Sequence, residues 1–215
     1  MMQIEFTLGS NPANQAPMAK YMLNKFPFLG LKTPERKAQT KPLLAASRNW
    51  SVEEILAVVT ELYARPEREY QYAAIDLARR HVRQYDLGTL RKLSAFITQK
   101  SWWDSVDAWR PLFGDYVLQH PDALQPVFAM FAEHENMWMR RVAITLQLGS
   151  KAQTNTELLA RAIEYDLATD EFFIQKAIGW ALRQYSKTDA MWVRDFLVSQ
   201  PQLSHLAVRE GSKYL

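Results

Sequence analysis

The sequence predicts an all-α protein, an α-solenoid of stacked antiparallel helix pairs. Two observations carry most of this. Apolar residues recur at helical spacing in segment after segment, and no stretch alternates apolar and polar residues with the two-residue period of a strand. The joints are short and marked by Pro or Gly, as at Ala64-Arg65-Pro66, His120-Pro121-Asp122 and Ser199-Gln200-Pro201. Short connections make neighbouring helices antiparallel. The repeat is too degenerate to give a fixed period, so a compact all-α bundle is the alternative.

The elements follow in order. A first helix is expected from about Pro17 to Lys25, with Pro at its first position. It should stop at Phe26-Pro27, because the residue before Pro avoids the helical region. Thr33-Pro34 opens the second helix, with Thr as N-cap. Ser51-Val52-Glu53-Glu54 is a capping box ahead of the apolar run Ile55 to Val59. Ser101 with Asp104 is a weaker form of the same signal. Further helices are expected at about Glu67 to Tyr85, Leu87 to Thr98, Trp102 to Gln119 with a possible break at Pro111, Leu124 to Ala132 and Met137 to Gln147. The last are at about Thr156 to Asp166, Glu171 to Tyr185, Ala190 to Ser199 and Leu203 to Arg209. With no linker, low-complexity segment or break in composition, residues 1–215 are expected to form a single domain.

Composition narrows the function. The chain has 215 residues, long enough to bury a real core, and 48% of them are hydrophobic, which argues against disorder. There is no Cys, so disulfides, thiolate catalysis and thiolate metal sites are excluded. The four histidines, His81, His120, His134 and His205, lack metal-ligand spacing, and no Gly-rich nucleotide motif or nucleophile elbow occurs. No metal and no cofactor is therefore expected. The amino-terminal stretch has no basic start followed by a long apolar run, and no segment approaches the roughly 20 apolar residues that span a bilayer. Cytoplasmic residence fits these features.

Charge is more informative in its distribution than in its total of +3. Between Lys20 and Arg48 lie seven basic residues and one acid, Glu35. Such a segment either meets a polyanion or forms a solvated helix face.

Four side chains on three expected helices stand out: Trp103 with Asp107, then Arg141, then Trp180. Trp103 and Asp107, in SWWDSVDAW, are one helical turn apart on one face. A carboxylate beside an aromatic plane suits a cationic sugar, since the negative charge and the negative ring face both attract it. The competing reading is an ordinary acid near a helix start, where the dipole favours carboxylates. Arg140 and Arg141 follow Trp138 in MWMRRVAI; either could stack at a surface or aim its fork at a phosphate. Lys176, Trp180 and Arg183 are spaced i, i+4 and i+7, a cation–aromatic–cation stripe that fits phosphates and sugars or the flank of an amphipathic helix. Tyr21 belongs either to the core or to a binding surface.

Taken together, YMLNKFPFLGLKTPERK, EREYQYAAIDL, SWWDSVD, MWMRRVAI and FFIQKAIGWALRQYSK resemble the AlkD-type DNA alkylation repair family. The resemblance runs from about Tyr21 to Lys187. It implies a right-handed solenoid of HEAT-like repeats with a concave basic groove for duplex DNA. It also implies excision of N3- and N7-alkylated purines, such as 3-methyladenine and 7-methylguanine, with the damaged base still in the duplex rather than in a base-flipping pocket. On this resemblance Asp107 stands at the catalytic carboxylate, and Trp103 and Trp180 match paired aromatics that hold the deoxyribose. Arg141 matches a groove arginine at the backbone, with Arg140 as its neighbouring alternative. Tyr21 matches an aromatic lining the site, and Lys32 stands in a turn expected to vary between members. Lys176 and Arg183 join the basic Lys20 to Arg48 segment as expected phosphate contacts. The implied partner is duplex DNA containing alkylated purines, and a monomer suffices to bind it. Two other functions compete: a non-catalytic member that binds distorted or branched DNA, and a helical-repeat scaffold for a protein partner.

Overall fold

The computed structural model describes residues 5–215, so the first four residues of the amino-terminal stretch lie outside the description. Among the described residues there are twelve α-helices, five short 3-10 turns and no strand. None of these helices is long and apolar enough to cross a membrane. The chain divides into two compact units, the first ending at Tyr85 and the second spanning Asp86–Leu215. The first holds α1 (Pro12–Tyr21), α2 (Thr33–Ala46), α3 (Val52–Ala64) and α4 (Arg68–Arg80). The second holds α5 (Leu87–Ser94), α6 (Trp103–Gln119), α7 (Leu124–Phe128), α8 (Met137–Thr145), α9 (Thr156–Glu164), α10 (Phe172–Tyr185), α11 (Ala190–Ser199) and α12 (His205–Gly211). Within the second unit α6 packs on α8, α8 on α10 and α10 on α12, while α9 packs on α8 and α11 on α10. This is the stacked helical-repeat arrangement that the sequence predicts.

The first unit departs from expectation at its start. Its first helix begins at Pro12 behind Asn11 and continues through Pro17 to Tyr21. Pro12 is as competent a first helical residue as Pro17. Pro17 withholds its N–H from the carbonyl of Ala13, but Ala13 is exposed and water can serve that group. The helix ends before Phe26-Pro27 because Leu23 and Asn24 both turn into the left-handed region at φ 55°. At α2 the N-cap is Lys32, one residue earlier than Thr33, and its backbone N–H donates to the Glu35 carboxylate at 2.9 Å. The capping box at α3 forms as read: Glu54 N–H donates to Ser51 Oγ at 3.2 Å, and Ser51 N–H to the Glu54 carboxylate at 2.7 Å.

A buried carboxylate fixes the turn between α1 and α2. Glu69, fully buried on α4, accepts the backbone N–H groups of Leu29, Gly30 and Leu31 at 2.9, 2.9 and 3.0 Å. Gly30 adopts φ +88°, and a Cβ there would lie 2.1 Å from the carbonyl oxygen of Asn11. Only glycine fits that approach. Arg68, also fully buried, lies over the Phe26 ring at 3.8 Å.

In the second unit α6 runs unbroken through Pro111, and Ser101 does not cap it. The Ser101 hydroxyl donates instead to the Ile97 carbonyl at 2.7 Å, and Trp102 takes the cap position. Trp109, Leu112 and Phe113 turn inward from α6 with no exposed surface. Trp109 stacks on Phe96 and Phe113 meets Phe131 edge-on, with centroids 5.7 and 4.8 Å apart. Each such side chain contributes about 1.5–3 kcal/mol through burial. Gly179 lets α12 approach α10 closely, since a Cβ there would lie 2.5 Å from the Glu210 Cβ. Glu210 then receives Arg183, Lys213 and Lys176 at 2.9, 2.8 and 3.3 Å.

Both carboxylates bear on stability. Glu69→Ala removes the acceptor of three backbone donors and should cost about 3–5 kcal/mol in urea denaturation; a loss below about 1 kcal/mol would contradict the clamp. The hydrogen bond from Lys213, followed by Lys176, holds the Glu210 carboxyl at about 2, against an ordinary 4.5. A depressed carboxyl contributes stability above its unfolded value and loses it as pH falls through the folded value. Thermal stability should therefore fall between about pH 4.5 and 2. Glu210→Gln should flatten that fall, whereas an unchanged acid profile would assign it to other carboxylates.

Candidate nucleic-acid site

Two of the four conspicuous side chains, Trp103 and Asp107, share one face of α6 in the second unit, together with Arg110. Trp103, Asp107 and Arg110 follow each other at i, i+4 and i+7, so they form one stripe. All three are half-buried, neither sealed in the core nor fully in water. Pro111 has no N–H to give the carbonyl of Asp107, four residues back, so the regular helical bond is missing where the carboxylate projects.

Arg141 of α8 meets Asp107 with both arms of its fork. Nε donates to Oδ1 at 2.9 Å and Nη2 to Oδ2 at 2.8 Å. The remaining arm, Nη1, donates to the carbonyl of Phe173 in the first turn of α10. One guanidinium thus ties α6, α8 and α10 together. Its side chain is 6% exposed and that of Asp107 is 22% exposed, so the carboxylate retains the outward-facing part of the pair. A bidentate pair occupies one lone pair on each carboxylate oxygen and leaves the others for water or a ligand.

Behind this pair lies an aromatic cluster. Trp102 meets Trp138 at 5.8 Å and Phe173 at 5.0 Å, and Trp138 lies 5.2 Å from Phe173. The cluster fixes the start of α6 and the turn that supplies the Phe173 carbonyl. Trp180, half-buried on α10, lies beneath the guanidinium of Arg110 at 5.8 Å. That approach brings Trp180 to the stripe carrying Trp103 and Asp107. Arg110 escaped the sequence reading; its only signal was its register, one turn beyond Asp107. The Phe173 carbonyl carried no signal, because main-chain acceptors are invisible to residue type.

The two adjacent arginines diverge. Arg140 donates through Nε to both oxygens of Asp166 at 3.1 and 3.0 Å, and through Nη1 to the carbonyls of His134 and Glu135. Its fork is committed away from Asp107. Lys176 and Arg183, expected to face phosphates, both reach Glu210. With Lys213 they place three cations on one carboxylate, so the cluster stays positive by two charges.

The remaining residues belong to the first unit. Tyr21 is 71% exposed at the end of α1, so it is no core residue, and Lys32 is exposed at the start of α2. Of the seven basic residues from Lys20 to Arg48, six are exposed. Arg36 is buried and paired with Asp76. Among the described residues no group of three or more His, Asp or Glu side chains is placed to hold a metal ion.

Comparison with known proteins bears on the whole chain. A family model described as DNA alkylation repair enzyme matches residues 2–215. A solved structure described as a predicted DNA alkylation repair enzyme from Enterococcus faecalis is 49% identical, with a TM-score of 0.95 and 98% of each chain covered. The X-ray structure of AlkD2 from Streptococcus mutans shares 18% identity at a TM-score of 0.67, covering 83% of this chain and 89% of that one, and so shares the fold. None of the curated proteins matches the sequence. The chain belongs to the DNA alkylation repair enzyme family.

Proposed function

We propose that the protein is a DNA glycosylase that hydrolyses the N-glycosidic bond of positively charged N3- and N7-alkylpurines in duplex DNA. The observation that carries this reading is the half-exposed Asp107 carboxylate, oriented by the Arg141 fork and flanked on its own helix by Trp103. Family membership supports a DNA substrate and a role in alkylation repair. The aromatic-acid arrangement supports the chemistry.

An N3- or N7-alkylpurine already carries a positive charge. When the bond from C1′ to the base nitrogen breaks, its electron pair goes to the purine, which leaves neutral without a general acid. The sugar is left as an oxocarbenium-like cation, as in glycoside hydrolysis. Asp107 offers that cation a fixed negative charge and accepts a hydrogen bond from the water that adds to C1′. The water oxygen becomes the sugar hydroxyl, and its proton passes to the carboxylate or to solvent. Trp103 and Trp180 present ring faces to the cation, each contributing about 0.5–2 kcal/mol. Arg141 acts through Asp107, fixing the direction of its free lone pairs. Arg110, whose guanidinium lies 5.8 Å from the Trp180 ring, is the group we assign to a phosphate beside the lesion.

The direct test is release of 7-methylguanine and 3-methyladenine from methylated duplex DNA. Asp107→Asn keeps the shape and removes the charge, and should slow release by roughly 10²–10³-fold. Wild-type rates in that variant would remove Asp107 from the mechanism. DNA binding with no release by the wild type would leave a non-catalytic, DNA-binding member of the family. Uracil, a neutral base, should not be excised, since it lacks the built-in leaving-group charge; efficient uracil release would contradict the mechanism. Affinity for duplex DNA should fall with salt, with a log–log slope of about −0.9 per phosphate neutralised. A flat salt response would exclude a phosphate-lined surface.

A further inference from the structure

Helix α11 has two unlike faces. Its inner face is anchored: Val193 and Phe196 are buried, Trp192 stacks on Phe196 at 5.0 Å, and Tyr185 of α10 meets Trp192 edge-on at 5.4 Å. The Asp189 carboxylate caps the first turn by accepting the Trp192 N–H at 2.9 Å. That anchoring holds the outer face toward solvent, yet the outer face is not polar. Met191 is 71% exposed and Val198 78%, the latter the most exposed large apolar side chain among the described residues.

Met191 and Val198 are two helical turns apart, so they lie on one line along the axis. Between them stand Arg194 and Asp195, both exposed. Neither finds an opposite charge on its own helix. The neighbours of Arg194 at three and four residues are Ala190, Met191, Leu197 and Val198, and those of Asp195 are Met191, Trp192, Val198 and Ser199. Arg194 and Asp195 themselves point about 100° apart. No described ion pair engages either one.

The order of this stripe matches its own reverse. Met191 and Val198 are equidistant from the point between Arg194 and Asp195. A two-fold axis through that point brings a second α11 alongside in the opposite direction. Each Met191 then meets the Val198 of the other copy, and each Arg194 meets the other copy's Asp195. One set of four side chains thus supplies two apolar contacts and two ion pairs, as an isologous interface requires. A stripe with both charges of one sign, or with its apolar residues at one end, would not match itself in this way. A ten-residue helix is about 15 Å long and covers less than the roughly 1,200 Å² of a stable complex, so the contact is weak and depends on concentration.

We propose that the outer face of α11 is a self-association surface, on which a second copy of this chain docks through its own α11 in antiparallel register. The contact is independent of the DNA reading, since none of Trp103, Asp107, Arg141 and Trp180 belongs to the stripe.

The test is sedimentation equilibrium of the full chain over a wide range of concentration. The wild type should move from 25.0 kDa toward twice that mass as concentration rises. Arg194→Asp alone sets like charges against each other in both pairings, as does Asp195→Arg alone, and each variant should stay at the single-copy mass. Mixed in equal amounts, the two variants face one another with opposite charges and should associate again. Both changes in one chain restore the match and should associate as the wild type does, which also checks that these substitutions leave the fold intact. Met191→Ser with Val198→Ser should abolish the rise. A wild type that keeps the single-copy mass throughout would overturn the proposal and leave the face to another partner or to solvent. Association that survives either single charge change would place the contact elsewhere. Loss in both single variants, with no recovery in the mixture or in the double exchange, would overturn the antiparallel register.

Discussion

The guanidinium of Arg141 is the interaction on which the candidate site depends. Its three arms reach Asp107 of α6 and the Phe173 carbonyl of α10 from α8. Those helices also pack through side chains, but packing alone does not set the direction of a carboxylate. The fork does, because a bidentate pair has one favourable plane. A buried arginine without its partner would be expensive, so the pair also couples the integrity of the unit to the position of Asp107. The aromatic cluster of Trp102, Trp138 and Phe173 supports the same junction from its apolar side.

The second unit uses charge in two distinct ways. Around Asp107 one cation meets one carboxylate in a closed, directional pair. Around Glu210 three cations share one carboxylate, which locks α12 to α10 and still leaves positive charge at the surface. The first is an orienting device. The second is a structural lock whose excess charge suits the proposed partner. In the first unit the acids Glu69 and Asp76 are likewise committed to structure, one to three backbone donors and the other to Arg36. The five lysines of that unit are all exposed. Uneven placement of charge is how a protein with a net charge of only +3 can present local surfaces suited to a polyanion.

Helix ends show where local rules suffice and where they fail. The Ser51–Glu54 box is a contest within four residues, and its outcome agrees with the sequence. The start of α1 depends on which of two prolines opens the helix, and both satisfy the same rule. The positive φ values of Leu23 and Asn24 decide its end, and the leucine gives no local sign of them. Ser101 takes no capping role because its hydroxyl is engaged by the Ile97 carbonyl. Apart from the box, each of these outcomes turns on a neighbour that the sequence does not place.

By itself the sequence determined the all-helical class, most helix positions and the family, because hydrophobic period, caps and several ordered motifs are local properties. It also placed Trp103 and Asp107 on one helical face, since spacing on a helix is fixed geometry. Only the tertiary structure decided which of two adjacent arginines meets Asp107, since residues 140 and 141 differ by about 100° around the axis and their targets lie on other elements. It likewise gave Lys176 and Arg183 to Glu210 and brought Trp180 under Arg110. These pairings join residues far apart in sequence. Their selection rests on packing and charge summed over whole helices, which no window of sequence contains.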